Sequence, residues 1–90
     1  MEKFARISRL TDEYLHGTLH KLVMQYEGPD KIHVVVSYED RNDYWFDYEL
    51  DVNMLNHQVD FNSHRLASTL EKVQVARDIQ FEHALQELFL

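Results

Sequence analysis

Ninety residues with no cysteine and a net charge of −7 describe one small domain without a disulfide framework, thiolate metal site or thiol nucleophile. An apolar fraction of 44% with 12% aromatics supports a modest core and argues against disorder. No apolar run reaches the ~18 residues of a membrane span and no export leader is recognisable, so the sequence predicts a soluble, cytoplasmic protein, 1–90 as one domain.

Residues 1–10 are weakly amphipathic. Phe4, Ile7 and Leu10 fit helical spacing, a short strand fits nearly as well, and both readings stay open. Lys3, Arg6 and Arg9 make this the only locally basic stretch, too sparse for a nucleic-acid site. Thr11 then reads as an N-cap, with Asp12 and Glu13 in the first turn, where carboxylates complement the helix dipole. Leu15, Leu19, Leu22 and Tyr26 recur at helical spacing and predict a helix over 12–26. Gly17 would cost that helix ~1 kcal/mol. It opens the alternative that the helix stops near His16 and 18–26 is a strand. Gly28, Pro29 and Asp30 end the element either way.

Residues 32–38 alternate as a strand, with Ile32, Val34, Val36 and Tyr38 on one face. Residues 39–42 form a polar hairpin tip, and 43–52 (DYWFDYELDV) pair back antiparallel. In that second strand Tyr44, Phe46, Tyr48, Leu50 and Val52 point inward, and Asp43, Trp45, Asp47, Glu49 and Asp51 point outward. Residues 58–61 suggest a short third strand. Asn62 or Ser63 then caps a long helix over 64–89, free of glycine and proline and apolar around much of its girth. The predicted fold class is α+β: a small antiparallel meander of two or three strands packed against two helices, the C-terminal one long.

Residues 39–60 hold seven acids (Glu39, Asp40, Asp43, Asp47, Glu49, Asp51 and Asp60) against Arg41 alone, so nearly all the net charge sits on one hairpin. That argues against direct contact with nucleic acid or an anionic membrane and favours a basic protein partner. A row of like charges gains a sheet nothing by itself. It can be a solvated, solubilising face, a docking surface made of Glu39, Asp40, Asp43, Trp45, Asp47, Glu49 and Asp51, or a cation site, although a flat strand row diverges where a hard cation needs convergent oxygens. In the second reading Trp45, the sole tryptophan, is the anchor. Carboxylates ~6–7 Å apart along a strand match the spacing of phosphates, so the expected partner is a nuclease or other nucleic-acid-binding protein whose groove the row would occupy. The helix–strand–strand–helix order with an acidic, aromatic hairpin is similar, in architecture and charge alone, to small immunity proteins and phage-encoded inhibitors.

The alternative role is a structural or adaptor subunit that forms a homodimer through the predicted long helix at Val75, Ile79 and Phe89. Glu13, His16 and His20 have a helical metal-like spacing but lack a further ligand, and exposed histidines are the expectation there. With no nucleophile elbow, no glycine-rich loop and little room for a dry pocket, an enzyme is not expected, and no cofactor or metal site is assigned.

Overall fold

The computed structural model describes residues 2–89. The elements are α1 (Glu2–Leu15), β1 (Thr18–Tyr26), β2 (Lys31–Glu39), β3 (Trp45–Asn53), β4 (Gln58–Leu66), β5 (Val73–Gln74) and α2 (Ile79–Phe89). The α+β class stands. The sheet, however, has five strands, antiparallel and in sequence order. No helix among the described residues is long and apolar enough to cross a membrane.

Both helices cover one face of the sheet. Ile32, Val34, Val36 and Tyr38 of β2, and Tyr48, Leu50 and Val52 of β3, are buried there with Leu19 of β1. Ile7 and Thr11 of α1 and Phe81 and Leu85 of α2 close the core from above. The inward set of β3 is as the alternation predicts, except at its start. Asp43 and Tyr44 belong to the loop: Asp43 takes a left-handed conformation (φ 65°), Tyr44 is exposed, and the strand begins at Trp45.

The helix predicted over 12–26 is the alternative instead. The N-terminal stretch is helical, and Thr11 lies inside α1, not at its start. Its hydroxyl donates to the Ile7 carbonyl at 2.7 Å, so a polar side chain sits in the apolar stripe with its hydrogen bond satisfied. α1 ends with His16 left-handed (φ 52°), and Gly17 then passes against β2. A Cβ at Gly17 would lie 2.7 Å from Tyr38 Cδ2 and 2.9 Å from the Glu39 carbonyl oxygen, so glycine is needed there for close approach.

The long helix over 64–89 is the larger correction. The third strand runs on to Leu66, a loop and the two-residue β5 follow, and only Ile79–Phe89 is helical. The cause is a bulge. Val59 and Phe61 face the helices, Asn62 is the extra residue, and beyond it His64 and Leu66 hold the same face. The phase slip hides the alternation and imitates helical spacing. β1 does the same at His20, between Leu19 and Leu22.

α2 is tied to the sheet by a buried polar network. Asp78 caps it, accepting from the Phe81 N–H at 2.9 Å. Tyr48 Oη donates to Glu82 at 2.5 Å and accepts the Asp78 N–H at 2.9 Å. Glu82 is also held by the Arg77 guanidinium through two nitrogens. Burial alone would raise the Glu82 carboxyl, but the hydrogen bonds from Arg77 and Tyr48 outweigh it and hold the group below its ordinary value. His64 lies flat on Tyr48, ring centroids 4.1 Å apart. Its Nδ1 faces the Ala76 carbonyl at 2.9 Å, which can only accept, so Nδ1 carries the proton and Nε2 accepts from Tyr38 Oη at 2.6 Å. Burial keeps this imidazole neutral by lowering its pKa, and burial likewise raises both tyrosines.

Candidate functional site

Among the described residues, the other face of the sheet carries no helix. Odd-numbered residues of β2 and β3 stand there, so Asp47, Glu49 and Asp51 form the acidic row that the alternation predicts. The row is not bare. Register places a partner from a neighbouring strand beside each carboxylate. Ser37 donates to Asp47 at 2.8 Å. Ser63 and Arg65 donate to Glu49, each at 3.2 Å. His33 reaches Asp51 Oδ1 at 2.9 Å, and Asn62, the bulge residue, donates to Asp51 Oδ2 at 2.6 Å. The hydrogen bond to Asp51 raises the His33 pKa against its own burial. The bond from Asn62, with that of His33, lowers Asp51. These cross-strand bonds answer the question of how the sheet tolerates like charges two residues apart.

At the loop end of the face the arrangement differs. Trp45 is 40% exposed and its ring stacks on His20 at 4.3 Å. His20 is the bulge residue of β1, and its Nε2 lies 2.9 Å from Glu39 Oε1. Ser68 Oγ holds the Trp45 backbone, accepting its main-chain N–H and donating to its carbonyl at 3.2 Å. Asp40 shapes the loop by accepting the Asn42 N–H at 2.9 Å and the Tyr44 N–H at 3.0 Å. Tyr44 is 48% exposed beside it. Two accessible aromatics therefore stand among Glu39, Asp40 and Asp43, with the Trp45 ring stacked on His20 and its backbone held by Ser68.

The seven residues predicted for docking thus divide. Glu39, Asp40, Asp43 and Trp45 gather at the loop end. Asp47, Glu49 and Asp51 continue from there as a hydrogen-bonded row. The trio Val75, Ile79 and Phe89 does not share a helix. Val75 precedes α2 and bonds to β4 through its N–H, Ile79 opens α2 and is exposed, and Phe89 packs on the core. The common face expected of them depended on a helix that is mostly strand and loop. Glu13 lies in the last turn of α1, His16 follows its end in a left-handed conformation and His20 lies on β1, so the helical ligand spacing is not formed. Sequence reasoning missed His20, His33, Ser37, Asn62, Ser63 and Arg65, which only register brings to the acidic row. Neither a protein-family model, nor a curated protein, nor a solved structure matches this chain.

Proposed function

We propose that this chain is a non-enzymatic binding protein that docks a basic protein surface through the loop end of its uncovered sheet face. The observation that carries the reading is Trp45, a large aromatic left 40% exposed yet stacked on His20 through its ring and tied to Ser68 through its backbone. An exposed aromatic on a mobile tip must be ordered on binding, whereas one already fixed contributes its buried area without that cost. Tryptophan is the side chain most enriched among residues that dominate interface energy. Around it Glu39, Asp40 and Asp43 are placed to meet lysine and arginine, which raises encounter rate and selects against acidic partners.

The row of Asp47, Glu49 and Asp51 extends the negative field, but its carboxylates are partly committed to neighbours and act as the flank of the patch. Nucleic-acid-binding proteins present basic grooves of the kind such a patch complements. The proposed role is therefore inhibition of such a protein by occupancy of its groove. The test is capture of the partner from host lysate at low and high salt, then titration with purified components. Binding should weaken steeply with salt, and Trp45→Ala should cost at least ~2 kcal/mol, about thirtyfold in Kd. Because Trp45 is the sole tryptophan, its fluorescence reports docking without a label. Unchanged affinity in Trp45→Ala would end the reading.

A further inference from the structure

At the far end of β3, ~20 Å from Trp45 along the strand, three potential ligands converge from separate elements. Glu27 lies in the β1–β2 turn, His33 on β2 and Asp51 on β3, and one ligand atom from each lies within 4.8 Å of the others. His33 Nδ1 is 2.9 Å from Asp51 Oδ1 and 3.7 Å from Glu27 Oε1. A tetrahedral ion with metal–nitrogen and metal–oxygen bonds of ~2.0–2.2 Å holds its ligand atoms ~3.3–3.5 Å apart. The two measured separations bracket that edge, the Glu27 and Asp51 ligand atoms lie within 4.8 Å of each other, and the half-exposed Glu27 side chain is free to rotate inward and close the set. Asn62 fixes Asp51 by its other oxygen, Oδ2, and leaves Oδ1 turned to His33. Such an outer contact is what orients a ligating carboxylate.

We propose that Glu27, His33 and Asp51 bind a Zn²⁺ ion through Glu27 Oε1, His33 Nδ1 and Asp51 Oδ1. One imidazole and two carboxylates suit a borderline divalent ion. They are too few oxygens for Ca²⁺ and lack the thiolates that select Cu⁺. The two carboxylates balance the charge of the ion. Glu27 and Asp51 also line an open cleft of about 240 Å³ with Lys31, Asn53 and Asp60, so the two carboxylate ligands are reached from solvent. The ion takes the place of the proton that His33 Nδ1 now shares with Asp51, so one interaction that ties β2 to β3 is exchanged for a stronger one that also recruits the β1–β2 turn.

The test is titration of the full chain with Zn²⁺, followed by the ring resonances of the six histidines and by the thermal midpoint. One-to-one saturation should move the His33 signals and raise the midpoint. Glu27→Gln leaves the His33–Asp51 contact in place, so it should fold normally and weaken binding at least tenfold. Asn62→Ala should weaken it ~10-fold through Asp51 alone. The proposal is overturned by absence of saturation up to millimolar Zn²⁺, by saturation that moves the rings of other histidines and not His33, or by Glu27→Gln binding as tightly as the wild-type chain.

Discussion

Replacing Tyr48 by phenylalanine removes one oxygen atom from the centre of the core and leaves the ring contacts with His64 and Phe81 in place. That oxygen joins the sheet to α2. It donates to Glu82, which is 3% exposed, and accepts the N–H of Asp78, the residue that caps the helix. A hydrogen bond to a charged group contributes about 1.5–3 kcal/mol, and a partly buried N–H left without a partner costs about 1 kcal/mol or more. Arg77 stays on Glu82 and moderates the loss, which places the net effect at ~3 kcal/mol. A domain of this size is stable by roughly 5–13 kcal/mol. The change should therefore be visible as a fall in thermal midpoint of ~12–24 °C. Urea denaturation followed by circular dichroism gives the free energy directly, with an unchanged slope if the same surface is exposed. Tyr44→Phe, at an exposed loop position, is the control and should shift stability by less than ~0.5 kcal/mol. If Tyr48→Phe melts within ~4 °C of wild type, the network is not what holds α2 down.

Gly17→Ala should destabilise by ~1–3 kcal/mol, because its Cβ would meet the Tyr38 ring and a backbone oxygen; calorimetry checks this, and a stabilised variant would contradict the close-approach argument. Stability should fall on acidification. His64 has a lowered folded-state pKa, so its contribution is complete above the unfolded value near 6.5 and declines as pH drops below it, by at most ~1.4 kcal/mol per unit. Glu82, also lowered, adds a second decline below about 4.5. His33, whose pKa is raised, works the other way and loses its contribution as pH rises through its folded value. Urea midpoints measured from pH 4 to 8 on wild type and His64→Gln separate these, since the variant should lose the decline just below pH 6.5. Trp45→Ala should leave the thermal midpoint within ~8 °C of wild type, as expected for a change of under ~1 kcal/mol at a partly exposed site.

Much of the central hairpin was legible. Strict alternation marked the inward residues of β2 and β3, and the concentration of acids on one hairpin marked the face. What failed was phase and register. Both bulges place inward-facing side chains three residues apart, Leu19 to Leu22 in β1 and Phe61 to His64 in β4, and that interval is also the signature of a helix. Local pattern cannot separate the two, and only pairing to a neighbouring strand does. The hairpin register, by contrast, held an unused constraint. Paired residues of an antiparallel ladder share a face, and both inward sets carry even numbers, so a four-residue tip over 39–42, which sets Tyr38 opposite Asp43, is forbidden by the alternation itself. The observed register sets Tyr38 opposite Phe46 and His33 opposite Asp51. Honouring that parity would have moved the strand start towards Trp45 and given the acidic row some of its cross-strand partners. The buried network around Tyr48 could not be foreseen in the same way, because its members come from four elements far apart in sequence.

The bulge at His20 has a consequence for how copies of this chain meet one another. β1 is a nine-residue strand at the rim of the sheet, with nothing paired along its outer side, whereas the opposite rim is the two-residue β5. A straight rim of that length is a template on which another chain can grow a cross-β stack. The extra residue breaks the template, sharpens the local twist and leaves an interrupted stretch beginning at the charged Lys21. Deleting His20 would restore an even ladder, and seeded fibril growth faster than that of the parent chain would be the measurable result.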